Sequence, residues 1–323
     1  SDAEDDEEEE EEDEEGDKLR LDQRMVLPVS TYSCAYAMHD IDCHWSEPWF
    51  ATCGDQVDVW DRSRLEPTVS FTWGADSVRS VKFNPAERDL LATTGSDRGI
   101  CLYDIRQSTP LRKVVLRMKS NKLAWNPMDP LRFTAANEDH NLYTFDMRNL
   151  SRALMVHKDH VAAVMDVSYS PTGKEFTTAS YDRTIRLFKS GSGRSHQMYH
   201  SKRMQRVFSS VFSGDGNFVL SGSDDTNIRI WKSNASQPIG RLLPREREKL
   251  NYNRKLIDRY KHVKELDRIH RNQLVPKLIK KERERKHVMA AAQRRKVDRQ
   301  VRNGGAGVKP KPERERTILK ELE

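Results

Sequence analysis

Five segments of the chain end in an apolar-x-apolar-aromatic run: Val57-Asp58-Val59-Trp60, Cys101-Leu102-Tyr103, Leu142-Tyr143-Thr144-Phe145, Ile185-Arg186-Leu187-Phe188 and Ile228-Arg229-Ile230-Trp231. Their aromatics stand 43, 42, 43 and 43 residues apart. So constant a period marks an array of equivalent units, and about 40–45 residues is the length of one four-stranded propeller blade. The period alone therefore predicts an all-β fold of stacked blades.

The interior of each unit repeats as well. An Asp stands six residues before the aromatic at Asp97, Asp139, Asp182 and Asp225, and five before it at Asp55. Small residues precede most of these, as in Ala179-Ser180-Tyr181-Asp182, so each Asp is expected in a tight turn, accepting hydrogen bonds from turn amides. Upstream, alternating strands such as Val78–Phe83 and Val164–Tyr169 run into Asn84-Pro85 and Ser170-Pro171, where proline removes a donor. Thr172-Gly173 and Asp215-Gly216 then supply hairpin turns into Glu175–Ala179 and Asn217–Ser221.

Outside the repeats the composition changes. The chain is 33% charged and 36% apolar, too polar an average for one core of 323 residues. The charge is localised: Ser1–Asp17 holds 14 acids and no base, while Arg241–Glu323 holds 27 Lys or Arg against 12 acids. The expected organisation is an acidic loop or linker over 1–25, blades over 26–240, a basic helical extension over 241–303, and a flexible tail over 304–323. Four cysteines, Cys34, Cys43, Cys53 and Cys101, form no CxxC pair, which points to a reducing intracellular setting and away from zinc bound with His39 and His44. No apolar run suggests a membrane partner.

These units resemble the WD-repeat family. Trp60-Asp61 keeps the name-giving dipeptide, Tyr103-Asp104 and Phe145-Asp146 are common variants, and Phe188-Lys189 and Trp231-Lys232 have drifted. The resemblance covers about residues 26–235 and implies a β-propeller. Five blades are fewer than the usual seven, so the expectation is five blades of a seven-bladed ring in a chain shortened at its front, with the acidic run an inter-blade loop. The alternative is a true five-bladed ring. Three stretches are more particular: Ala135-Ala136-Asn137-Glu138-Asp139 with Asn141–Arg148, Tyr199–Gln205, and Trp231–Ser236. Together with Tyr169–Phe176 they resemble the Sof-like, or suppressor-of-fibrillarin, group of nucleolar WD-repeat proteins. That resemblance implies a non-catalytic component of the small-subunit processome. It would work in the nucleus and nucleolus with a box C/D small nucleolar ribonucleoprotein, precursor ribosomal RNA and other processome proteins.

From Pro244 to Asn303 the sequence reads as helix broken once, at Pro276. Leu250, Ile257, Tyr260, Val263 or Lys264, and Leu266 recur at spacings near three and four as a narrow apolar stripe on the first piece, expected to dock on something. The second piece clusters Lys280, Lys281, Arg283, Arg285, Lys286, Arg294, Arg295 and Lys296. Such a density neutralises phosphates and releases counterions, so these eight are the candidate RNA contacts; a solvated helix with internal Glu–Arg pairs is the plainer reading. The clusters also suit nuclear import.

No nucleophile elbow, phosphate loop, HExxH or carboxylate pair is present, and no cofactor is implied. His157-Lys158-Asp159-His160 looks like a ligand cluster but stands at the start of a blade, where histidine serves structure. Tyr103-Asp104-Ile105-Arg106 and Phe145-Asp146-Met147-Arg148 resemble the endings by which WD-repeat substrate receptors engage the propeller adaptor of a cullin-RING ubiquitin ligase. Asp104, Arg106, Asp146 and Arg148 are the candidate adaptor contacts, since an exposed Arg two residues past the Asp can meet a partner carboxylate.

Overall fold

Each repeat folds as one antiparallel sheet. In the computed structural model, which describes residues 30–72, 77–238, 240–270, 272, 274–303 and 312–322, all regular elements fall within the unit Tyr36–Glu323. The acidic run and the Gly304–Gly307 stretch lie outside the described residues.

Blade one comprises β1 (Asp40–Cys43), β2 (Trp49–Cys53), β3 (Val57–Asp61) and β4 (Pro67–Phe71), paired in that order. Blade two follows with β5 (Val78–Phe83), β6 (Leu90–Gly95), β7 (Gly99–Asp104) and β8 (Pro110–Leu116). Blade three holds β9 (Ser120–Asn126), β10 (Asp129–Asn137), β11 (Leu142–Asp146) and β12 (Met155–His157). Blade four holds β13 (Val164–Tyr169), β14 (Glu175–Ser180), β15 (Ile185–Lys189) and β16 (Ser195–Tyr199). Blade five shows three strands, β17 (Val207–Phe212), β18 (Phe218–Ser223) and β19 (Ile228–Lys232).

The repeated aromatic sits on the third strand of every blade, opposite a residue of the second. Phe50 faces Trp60, Phe133 faces Phe145 and Phe176 faces Phe188 in strand register, with ring centroids 6.0, 5.6 and 5.4 Å apart. Phe133, Phe145, Phe176 and Phe188 are fully buried, and each contributes on the order of 3 kcal/mol of apolar burial. Buried clusters fill the space between successive blades, such as Ala179, Ile185 and Leu187 of blade four with Val207, Phe212 and Val219 of blade five.

Polar side chains stitch the inner strands together. Asp42 accepts the Phe83 amide and the Lys82 ammonium, both at 2.8 Å, and Asp166 accepts the Ser210 amide at 2.8 Å. Asn84, ahead of its proline, turns the chain by accepting the amides of Ala86 and Glu87, each at 2.9 Å. Gly173 stands at φ +64°, and a Cβ there would lie 2.4 Å from Asn126 Oδ1, so only glycine fits this hairpin.

The last blade speaks against the five-bladed closed ring. Side chains alternate across a strand, so Ile228 and Ile230 share the face of β19 turned away from blade four. They are 76% and 68% exposed, where the equivalent Ile185 and Leu187 are fully buried. A closed five-bladed ring would cover that face.

After β19 come α1 (Pro244–Arg259), α2 (Lys264–His270), α3 (Lys277–Arg302) and α4 (Glu313–Arg316), followed by β20 (Ile318–Leu322). The extension is thus broken twice, at Tyr260–Val263 as well as Pro276, and no proline or glycine marks the extra break. The apolar stripe expected to dock finds no seat on the chain's own described residues: α1 has no buried residue, and Ile257, Tyr260 and Leu266 stay more than 40% exposed.

The stretch 304–323, expected to be a flexible tail, is instead ordered over residues 312–322, which form α4 and β20. β20 adds antiparallel to the outer edge of β8 with Ile318 opposite Leu116, and Ile318 enters the core between blades two and three. An unpaired strand edge offers free amides and carbonyls, which the tail satisfies. No described helix is long and apolar enough to cross a membrane.

Candidate nucleic-acid interface

The helix α3 carries every one of the eight basic residues singled out above, and one side of it meets the propeller. Ile279 is buried, the only buried side chain on the helix. One turn on, Arg283 Nη2 reaches Asp159 Oδ1 at 3.4 Å, and Lys286 Nζ donates to the Val161 carbonyl. Burial pushes the Lys286 ammonium below its ordinary range. Upstream of the helix, the His200 imidazole bonds the Leu274 carbonyl at 2.9 Å.

The eight candidates therefore do not act alike. Arg283 and Lys286 are engaged with blade loops, whereas Lys280, Lys281, Arg285, Arg294, Arg295 and Lys296 are exposed. Arg285 pairs with Glu282 at 3.1 Å, a surface pair worth a few tenths of a kcal/mol at most. Lys277, Arg299 and Arg302, not singled out from sequence, are also exposed basic residues of this helix. Their place would follow from plotting the charges at helical spacing instead of reading them as clusters.

The docking loop is His157-Lys158-Asp159-His160. Asp159 adopts φ 141°, a region that favours glycine and costs a non-glycine residue about 1–3 kcal/mol. Its carboxylate offsets this by accepting the Ser195 amide at 2.8 Å and hydroxyl at 2.9 Å, beside Arg283. Both histidines serve the blades. His157 Nδ1 donates to the Ser192 carbonyl at 2.7 Å and Nε2 accepts from Thr144 at 2.9 Å, an arrangement that suits the neutral ring. Burial accordingly pulls its pKa down to about 4.

His160 lies between Asp182 at 2.9 Å and the Thr178 hydroxyl at 2.7 Å. Burial pushes this fully enclosed imidazole below its usual range, while His160, Arg186 and Thr184 hold the Asp182 carboxyl at about 2 against its own desolvation. Among the described residues no three His, Cys, Asp or Glu side chains gather as a metal site requires.

The repeated Asp residues divide into three behaviours. Asp97, Asp139 and Asp182 each accept the amide two residues on, at 2.9, 3.0 and 3.0 Å. The residue between is left-handed in each case: Arg98, His140 and Arg183 have φ between 65° and 70°. In blade five Thr226 is likewise at φ 63°, but the Asp225 carboxylate is taken by the Arg229 guanidinium instead, which draws it below the usual range. Asp55, one residue out of step, is exposed, and Asp58 takes the side-chain bonds in that blade, from Tyr36 and Gln56.

The two arginine endings lie on adjacent blades. Arg106 and Arg148 are 73% and 67% exposed at the side chain, and each is held by a carboxylate of the chain, Asp89 and Asp146 respectively. The Arg148–Asp146 pair is bidentate, at 3.1 and 2.8 Å, and Arg148 draws the Asp146 carboxyl down. Asp104 and Asp146 also accept the amides of Arg106 and Arg148 at 3.0 Å, so both endings share one tight turn. Arg112 links the Arg148 ending to the tail, donating to the Arg148 carbonyl at 2.5 Å and facing Glu321 at 3.9 Å.

Comparison with known proteins matches this architecture piece by piece. Residues 151–189 and 196–232 match the WD domain, G-beta repeat, and residues 233–318 match the Sof1-like domain, which takes in α1 to α4 and the start of β20. The chain is 47% identical over 297 residues to DDB1- and CUL4-associated factor 13 of Danio rerio, covering 92% of this chain and 67% of that protein. The Homo sapiens protein of the same name is 50% identical over 270 residues, covering 84% of this chain and 61% of the relative. Protein SOF1 of Saccharomyces cerevisiae is 44% identical over 268 residues, covering 83% and 55%. The chain thus spans between about half and two thirds of these relatives' lengths. A WD-repeat body joined to a matching C-terminal extension, at this identity, places the chain in the Sof1-like family of WD-repeat proteins.

Proposed function

We propose that this protein is a non-catalytic scaffold of the small-subunit processome, acting in the nucleus and nucleolus in the processing of small-subunit ribosomal RNA. Its partners are a box C/D small nucleolar ribonucleoprotein, precursor ribosomal RNA and other processome proteins. The observation that carries this reading is the pairing of a rigid propeller with an extension that matches the Sof1-like domain and bears a basic helix braced on blade loops. Rims of packed blades offer protein contacts, and exposed Lys and Arg offer sequence-independent contacts to phosphate.

Because β20 belongs to blade two, deleting everything after Pro244 would damage the propeller itself. The informative variant is Arg294→Gln, Arg295→Gln and Lys296→Gln in the full chain. Affinity capture from nuclear extract should recover small nucleolar RNA and precursor ribosomal RNA with the parent and markedly less of both with the variant. Capture of neither RNA by the parent chain would sink the proposal.

A second reading has its own support in the names of the relatives and in the two exposed arginine endings. The protein would then also be a substrate receptor of a cullin-RING ubiquitin ligase, bound through the ligase's propeller adaptor by Asp104, Arg106, Asp146 and Arg148. Each arginine would exchange an exposed internal ion pair, which solvent screening leaves weak, for a partner carboxylate. Capture of the adaptor lost on Arg106→Ala with Arg148→Ala supports it, and unchanged capture removes those residues from the interface.

A further inference from the structure

The contacts of α3 sort its charges by direction. At 3.6 residues per turn, Ile279, Arg283 and Lys286 fall within one sector of about 60°, and this sector holds the helix's contacts with the propeller. On the opposite side lie Lys277, Lys281 and Arg285, then Arg295, Lys296, Arg299 and Arg302, all exposed. Glu284 is the single acid among them. The two groups are centred about 25 Å apart along a helix about 39 Å long. Between them the same side carries only the uncharged Val288 and Ala292.

Three features select the ligand. A basic stripe facing away from the propeller calls for a polyanion. Protein interfaces rely on clustered, desolvated aromatic and aliphatic anchors, whereas the large aliphatic side chains of this face, Leu278 and Val288, stand singly about 15 Å apart along the axis. Single-stranded nucleic acid is gripped by stacking its bases on aromatic rings, yet α3 contains no Phe, Tyr or Trp. A braced helix with two charge groups and a neutral span fits a stiff double helix, meeting phosphates at two places and bridging a groove between them.

We infer that this stripe binds the phosphate backbone of double-helical RNA, and that Ile279, Arg283 and Lys286 position it without touching the RNA. The inference rests on the reading of α3 as an RNA contact and deepens it by naming the face and the form of the RNA. Recognition is by shape and charge, so it is largely independent of sequence.

The test uses the full chain, a labelled RNA duplex of about two helical turns and a single strand of equal length, with binding followed by fluorescence anisotropy across salt. Seven phosphate contacts give a slope of log affinity against log salt of roughly −6, a loss of about 10³–10⁴-fold between about 50 and 200 mM. The single strand should bind at least about tenfold more weakly, lacking aromatic partners. Lys281→Gln, Arg285→Gln, Arg295→Gln and Arg299→Gln remove four contacts and should bring the slope to roughly −3, with helix content kept in circular dichroism because Gln is a good helix former. Ile279→Ala with Arg283→Gln should loosen the brace, read as faster amide exchange in α3, while leaving the duplex slope unchanged.

A single strand that binds as tightly as the duplex, or a slope unmoved by the four substitutions, overturns the stripe while the wider RNA reading stands. Failure of both RNA forms to bind removes the two together.

Discussion

His157 shows how much a single buried side chain can set the behaviour of a blade. Both of its nitrogens are satisfied in the neutral state, and burial lowers its pKa to about 4 from an ordinary 6.5. Between those values the unfolded chain takes up a proton that the folded chain refuses. Stability is therefore full above about pH 6.5 and declines as pH falls toward 4, by on the order of 3 kcal/mol. Asp182, held at about 2, keeps its charge through this window and gives up its contribution only at lower pH. Thermal unfolding followed from pH 7 to pH 4.5 should show the midpoint falling, and His157→Gln should flatten that fall; an equal pH dependence in the variant would assign the effect elsewhere. The left-handed turns belong to this scale too. The sequence marks the Asp of each turn, but the strain falls on the residue after it, and at Thr226 it falls on a β-branched side chain.

At the scale of elements, the repeat signals were legible and the additions to them were not. Strand ends at Asn84-Pro85 and Ser170-Pro171 and the turn at Gly173 follow from proline chemistry and left-handed glycine, which are local. β20 is not local: Ile318–Leu322 has no strong alternation, and it becomes a strand because β8 presents an open edge and the gap between blades two and three accepts Ile318. Ile318→Ala should cost about 2 kcal/mol, at the low end for a buried aliphatic because the residue lies near the surface. The Arg117 amide, bonded to the Thr317 carbonyl at 2.8 Å, should exchange faster in the variant. An Arg117 amide as slow as in the parent would mean that the strand holds without its anchor. The α1 stripe illustrates the converse, since a periodic apolar face read from sequence states only that burial is possible.

In the whole molecule, the most conspicuous surface is the bare face of blade five, where Val211, Leu220, Ile228 and Ile230 are exposed on paired strands. Ile185 and Leu187, the blade-four equivalents of Ile228 and Ile230, lie between blades, so among the described residues this is inter-blade surface without a blade upon it, and such patches drive association. Sedimentation of the chain at rising concentration should show self-association, and Ile228→Lys with Ile230→Lys should abolish it without loss of secondary structure; a parent that stays monomeric throughout would count against the patch as the sticky surface. By itself the sequence determined the blades: a period of 42–43 residues, recurring aromatics and proline-glycine punctuation are fixed by backbone sterics and strand alternation within one repeat, and so can be read without neighbours. The basic character of the extension was equally plain, being a matter of counting charges. Tertiary structure alone decided which charges remain exposed, because the direction a helical residue faces acquires meaning only when Ile279 is buried and Arg283 and Lys286 find partners more than a hundred residues away. It also decided that the tail closes an edge and that blade five leaves one open, since both depend on which surfaces meet, and contacts of that kind are set by packing between distant segments rather than by any local preference of the chain.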